Sequence, residues 1–284
     1  MLYRISFFLG LCALAAAQCP AVWSTIASDL QSEFSGCNDN ARAAIRAPVH
    51  DCVNNGCDGS LILAGECTRV ENAGLETICN LLGSKSTQYS VGAADMIQFA
   101  QAVALSVCPL SPRVRALVGR QDSSSPATEG KLARSNDTVD TILSIFGAVG
   151  LDTTDVVALV GAHSTAIQRF DDPSRAGESL DSTPGTWDTT FYAQALTNTA
   201  PYTLQSDQRL STDLRTAVIW LDFSVNAPGW NTAFISAMEK LQVVGNDVNS
   251  LTDCTSVLPG AAKIRREAKR APIGERAFAN KIVS

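Results

Sequence analysis

Arg46-Ala47-Pro48-Val49-His50-Asp51-Cys52-Val53-Asn54-Asn55-Gly56-Cys57-Asp58-Gly59-Ser60 carries more chemistry than any other stretch of this 284-residue chain. On a helix, Arg46 and His50 fall four residues apart and so share one face, one turn from each other. A neutral imidazole beside a fixed guanidinium can take a proton from a bound hydroperoxide while the cation steadies charge on the departing oxygen. Alone the spacing is weak, because a solvated helix face offers it by chance. The residues after His50 strengthen it: Asp51, Asp58 and Ser60, with the turn carbonyl of Gly56, form the oxygen-rich set that calcium selects. Cys52 and Cys57 bracket that loop and can close it as a small ring.

The chain has only two histidines. The second, His163, lies in Gly161-Ala162-His163-Ser164, behind Asp152-Thr153-Thr154, a capping signal for a helix over 155–162. Confining histidine to two places suggests that one holds a metal while the other moves protons. Other helices are predicted over 93–107, rich in alanine with apolar residues at three- and four-residue spacing, and over 139–149. Alternating strand patterns are nearly absent. Ser123 to Gly130 and Pro173 to Pro184 read as loops, the first a crossing between two helical halves.

Residues 1–17 have one basic residue, Arg4, a short apolar run and Ala15-Ala16-Ala17 before Gln18, the pattern of a cleaved secretory signal. Eight cysteines then remain, an even set that reads as four disulfides in an exported chain. Asn136-Asp137-Thr138 is a glycosylation sequon. The segment 261–284 carries seven basic and two acidic residues, whereas 18–260 has a net charge of −12. An acidic body repels nucleic acid, no later stretch suits a membrane span, and the basic tail reads as flexible or processed.

The segment from Arg46 to Ser60 resembles the distal haem site and distal calcium loop of the secreted plant and fungal haem peroxidases. Its His-Asp-Cys-Val-Asn-Asn-Gly-Cys-Asp-Gly-Ser string is similar to the plant-type version. The resemblance continues through Glu71-Asn72-Ala73-Gly74-Leu75 and through Asp95 to Asp122, which is similar to fungal class II (ligninase-type) members. It implies that Asn72 takes the Nδ1 proton of His50, that Glu66 orients Asn72, and that His163 is the axial iron ligand of a non-covalent haem b. Asp207 would accept a hydrogen bond from His163 and make it more electron-donating. Ser164, Asp181, Thr183, Thr186 and Asp188 match a proximal calcium site beside the distal set of Asp51, Gly56, Asp58 and Ser60, two Ca²⁺ in all. Cys52–Cys57 and Cys37–Cys108 are the pairings it favours.

The fold it implies is mainly α-helical and disulfide-linked, with haem sandwiched between a distal domain (18–130) and a proximal domain (131–260). The activity is reduction of H2O2 with oxidation of small aromatic, phenolic reductants at the haem edge, by a secreted monomer with no nucleic-acid or membrane partner. Val49 departs from the aromatic residue usual before the distal histidine, and Pro48 removes a helix N–H. These two features favour a rival reading, a catalytically weak haem- and calcium-binding protein on the same scaffold. The positions that hold manganese in fungal members carry Asp39, Ala43 and Arg169, a set that cannot hold Mn²⁺ well. The surface-Trp position of the lignin-oxidising members is Ala158.

Overall fold

The computed structural model describes residues 18–260, apart from the side chain of Asn55. The expected signal segment 1–17 and basic tail 261–284 lie outside the described residues. Helix α5 (Ala93–Val107) is the axle of the first half: every residue from Ala93 to Leu105 is buried. Alanines at close spacing let neighbours approach, and α5 packs against α1 (Val22–Glu33), α2 (Asp39–Asn55) and α4 (Glu76–Tyr89).

The Gly119-Arg120-Gln121-Asp122 turn locks that axle. Asp122 accepts the otherwise unpaired N–H groups of Ala93 and Ala94 at 2.9 Å each, capping the helix. The Arg120 side chain, fully buried, bonds Asp95 at 2.9 Å and also donates to the carbonyl of Gln242. A buried guanidinium is tolerable only with such a full set of acceptors.

After the four-residue α3 (Ser60–Leu63), the second half comprises α6 (Val139–Gly147), α7 (Thr153–Val160), α8 (Thr190–Thr197), α9 (Gln205–Thr212), α10 (Ala217–Val225) and α11 (Ala227–Leu241). Helix α11 packs along α7 and also reaches α2. Their core is aromatic: Trp187 stacks on Trp230 at 4.7 Å, with Tyr192, Trp220 and Phe234 edge-on around them. All four tryptophans are buried.

Among the described residues the strand content is one two-residue pair, β1 (Leu117–Val118) antiparallel to β2 (Thr252–Asp253). Among the described residues four disulfides form: Cys19–Cys254, Cys37–Cys108, Cys52–Cys57 and Cys67–Cys79. Both pairings favoured from the resemblance are among them. Among the described residues no single helix is long and apolar enough to cross a membrane.

Two helices differ in their bounds from the sequence expectation. Helix α6 stops at Gly147 and is capped by Thr138. Helix α7 starts at Thr153 rather than Asp155, because Asp152 is its N-cap and Asp155 closes a capping box back onto it at 2.9 Å. It ends at Val160, so His163 stands in the tighter 3₁₀ turn Gly161–Thr165 beyond it, not in the α-helix itself.

Candidate active site

Helix α2 delivers the first histidine. Asn38 caps it, accepting from the Ala41 N–H at 3.0 Å, and it runs unbroken through Pro48 to Asn55. On this helix the Nε of Arg46 donates to Nε2 of His50 at 2.7 Å, and the Arg46 Nη1 is tethered to the carbonyl of Ala73 at 3.0 Å. The Nδ1 of His50 lies 2.7 Å from Oδ1 of Asn72, an atom that can only accept. The proton therefore sits on Nδ1, and Nε2 presents a lone pair. Burial, with the Arg46 charge adding to it, holds the His50 pKa well below the usual imidazole value despite the opposing Asn72 bond. His50 is thus a neutral base at neutral pH.

Asn72 is fully buried and is itself held by Glu66, through the main-chain carbonyl, which accepts from the Asn72 Nδ2 at 2.9 Å. The contact between Glu66 and Asn72 thus runs through the Glu66 main chain, not its side chain. The Glu66 carboxylate instead accepts the Ala127 N–H at 2.6 Å and lies 3.5 Å from Arg69. It ties the 123–130 loop to this corner. Ala73 and Ala127 contribute only backbone atoms, so no side-chain motif marks them.

The second histidine rests on a different partner. His163 Nδ1 lies 3.0 Å from Oδ2 of Asp207, a carboxylate in α9 that is 1% exposed. Its ring meets Phe191 edge-on at 5.6 Å. The turn fits only because residue 161 is glycine: a Cβ there would stand 2.4 Å from both Trp230 Nε1 and the Tyr192 hydroxyl. Those two groups hold the end of α7 by bonding the carbonyls of Ala158 and Val157. The His163 turn also packs against α2, bringing the two histidine-bearing segments together.

Each of the two oxygen-rich loops holds a buried carboxylate. In the first, Asp51 is 1% exposed and accepts from the N–H groups of Gly59 and Leu61, while Asp58 accepts from Ser60 N. In the second, Asp181 is fully buried, accepts from Thr183 N at 2.8 Å, and has Asp188 as a charged neighbour. Burial pushes both Asp51 and Asp181 up to about 7. Ser60 Oγ and Ser164 Oγ are buried without a hydrogen-bond partner. These two orphaned hydroxyls and the two buried carboxylates are oxygens of the kind that a hard, oxygen-seeking cation would satisfy. Among the described residues no three His, Cys, Asp or Glu side chains converge, so only hydroxyl and carbonyl oxygens would complete either set. The Gly56 carbonyl accepts from Asp58 N at 2.9 Å.

The manganese-type positions come together as an ion pair instead: Arg169 Nη2 lies 2.7 Å from Asp39, which Arg42 also bonds. Ala158, at the surface-Trp position, is fully buried.

Comparison with known proteins agrees with this geometry. The peroxidase family model matches residues 26–226 and a fungal peroxidase extension region matches 230–277. A peroxidase of Arthromyces ramosus is 33% identical, over 86% of this chain and 77% of its own length. A low-redox potential peroxidase of Taiwanofungus camphoratus is 36% identical, over 86% and 79%. Manganese peroxidase 2 of Phlebia radiata is 32% identical, over 82% and 70%. With two differently partnered histidines on adjoining elements of a disulfide-linked helical fold, the chain belongs to the peroxidase family and is a hydrogen-peroxide-dependent oxidoreductase.

Proposed function

We propose that the chain is a secreted, monomeric haem peroxidase with two structural Ca²⁺ ions, oxidising small phenols and lacking the manganese and surface-tryptophan routes. The division into a distal half, 18–130, and a proximal half, 131–260, belongs to the same reading. What carries it is the asymmetry of the two imidazoles: Asn72, a neutral amide, holds His50, and Asp207, a buried carboxylate, holds His163. An amide partner leaves a free, neutral base, whereas a carboxylate partner gives the ring imidazolate character and suits it to metal ligation. His163 would hold haem b by its Nε2, and the haem, when bound, would supply the two electrons that peroxide cleavage requires, to be restored by the reductant.

The protein's own part is proton handling. His50 Nε2 takes a proton from the peroxide, for which the Arg46 Nε–H must first release that nitrogen. His50 then returns the proton to the departing oxygen, which leaves as water, while Arg46 steadies the charge. Two phenols each give up one electron and one proton, so one H2O2 becomes two waters and two phenoxyl radicals form. Ser60, Asp51, Asp58 and the Gly56 carbonyl would hold one calcium, and Ser164, Asp181, Thr183, Thr186 and Asp188 the other. Val49, next to His50 in the chain, is half-buried.

Replacing His50 by Leu tests the reading. The holoprotein should still bind haem while the peroxide step, followed by stopped flow, slows by at least ~10². An unchanged rate would remove His50 from the mechanism.

A further inference from the structure

The loop 123–130 lies as a strap over the corner that holds Asn72. It contains no helix or strand, and Ala127 is its one buried residue, so polar contacts must fix it. Ser123 N–H donates to the carbonyl of Asp58 at 2.8 Å, Asn54 Nδ2 to the carbonyl of Thr128 at 2.5 Å, and Gly130 N–H to Glu71 Oε2 at 2.5 Å. Between these anchors Ala127 is gripped at both ends. Its N–H donates to Glu66 Oε1 at 2.6 Å, and its carbonyl accepts from Arg69 Nη1 at 3.0 Å.

Arg69 stands where the strap meets the Asn72 turn. Its Nη1 also lies 3.5 Å from Glu66 and 3.8 Å from Glu71, whose side chains are 3% and 6% exposed. Among the described residues Glu71 Oε1 has no hydrogen-bond partner, so the Arg69 charge is what offsets it. Buried carboxylates are costly unless paired, and here one guanidinium serves two of them. The Arg69 main chain belongs to the same turn. The Glu66 carbonyl accepts both the Arg69 N–H and the Asn72 Nδ2 at 2.9 Å, and the Arg69 carbonyl accepts the Asn72 N–H at 2.9 Å. Asn72 thus hangs on residues 66 and 69 by its side chain and its main chain, and its Oδ1 meets His50 Nδ1.

We propose that Arg69 is a positioning residue for the peroxide step: by joining the Ala127 carbonyl to the Glu66 and Glu71 carboxylates it fixes the turn that presents Asn72, and through Asn72 it keeps the His50 proton on Nδ1. The assignment rests on the peroxidase reading of His50. A guanidinium suits the task because its planar fork of donors reaches several acceptors at once. An apolar side chain at residue 69 would leave both buried carboxylates without their cation and the Ala127 carbonyl without its donor. The strap would loosen, and the Asn72 amide would gain freedom beside His50.

The test is a double-mutant cycle on the holoprotein, with the second-order rate of the peroxide step followed by stopped flow. Arg69→Leu should slow that step about 3–10-fold, less than the about 10–100-fold typical of a direct partner, and Arg69→Lys should recover most of the loss by returning a cation between the carboxylates. In the Asn72→Ala background Arg69→Leu should slow it no further, because the turn then has no amide to present. A purely structural role would lower the melting temperature and multiply equally into both backgrounds. Should the Leu variant not fold, Arg69→Gln, which keeps a donor for Ala127 without the charge, takes its place and is judged by the same outcomes. A second readout needs no peroxide: with only two histidines in the chain, nitrogen-15 histidine spectra of the diamagnetic ferrous carbonyl form report the His50 tautomer. It should be protonated on Nδ1 in the wild type and mixed in Arg69→Leu. An unchanged rate in Arg69→Leu, an effect that multiplies with Asn72→Ala, or a His50 tautomer untouched by the substitution overturns the assignment. If Asn72→Ala itself leaves the peroxide rate unchanged, it is the reading of His50 that fails.

Discussion

Removing the Asn72 amide isolates the proton-handling unit. In Asn72→Ala, His50 loses a 2.7 Å acceptor at Nδ1 in a site that water does not readily reach, since Asn72 is fully buried and His50 nearly so. Two effects add. The Asn72 bond raises the His50 pKa against burial and Arg46, so its loss lowers an already depressed basicity. The neutral imidazole is also no longer held with its proton on Nδ1, and the tautomer with Nε2 protonated cannot accept from peroxide. A net hydrogen bond of about 1 kcal/mol gives roughly fivefold, and outer partners of this kind typically account for about 10–100-fold. The second-order rate of the peroxide step, measured by stopped flow, should fall within that upper range, while the rate of the subsequent phenol steps stays within twofold. The Glu66 carbonyl also loses its partner, so some loss of stability is expected. Asn72→Asp, which restores an acceptor at the same point, serves as the folding control and should shift the pH profile upward by adding a negative charge beside His50. A peroxide rate within twofold of wild type in Asn72→Ala would refute the assigned roles.

Calcium should be visible through pH. Asp51 and Asp181 have folded pKa values raised to about 7 from 3.8, so in the cation-free protein both destabilise the fold as pH rises from about 4 through 7. Chelation should therefore lower the melting temperature much more at pH 8 than at pH 5, with added Ca²⁺ restoring it; an equal loss at both values would count against the two sites. Replacing Cys19 and Cys254, 235 residues apart, should cost about 5 kcal/mol by loop entropy, against about 2 for Cys52 and Cys57, five residues apart, and thermal melts should rank them so. Gly161→Ala places a methyl group 2.4 Å from Trp230 and Tyr192, and should cost about 1–3 kcal/mol in denaturant melts together with looser haem retention. Unchanged retention would mean that the 161–165 turn does not position His163.

Much of the arrangement was legible because its residues are chemically scarce. Two histidines in one chain leave little freedom of assignment, and α5 from Ala93 to Val107 has no Gly or Pro to blur its bounds. The Asp152-Thr153-Thr154 signal marked a cap, but the helix starts at Thr153 rather than Asp155 because Asp152 is itself the N-cap. The end was less visible: nothing local tells that Gly161 stops the α-helix, because the cause is tertiary, the approach of Trp230 and Tyr192 from α11 and α8. For the same reason the Glu66 contact was named without its atom. A carboxylate is the obvious hydrogen-bonding group of a glutamate, yet here it is taken by Ala127 N and Arg69, and the carbonyl serves Asn72. Arg69 escaped the sequence altogether. Only its bond to the Ala127 carbonyl, 58 residues later in the chain, gives it a place under the strap.

In the proposed mechanism His163 would bind the haem iron and His50 would meet the peroxide. The absorption spectrum of the purified protein, recorded before and after one equivalent of H2O2, tests it most directly, alongside His163→Ala and His50→Leu. The wild type should show a Soret band that shifts within milliseconds of peroxide addition, His50→Leu a band that shifts only slowly, and His163→Ala a lost or altered band. A wild-type protein with no Soret band after haem supplementation, or a band indifferent both to peroxide and to the loss of His163, would contradict it.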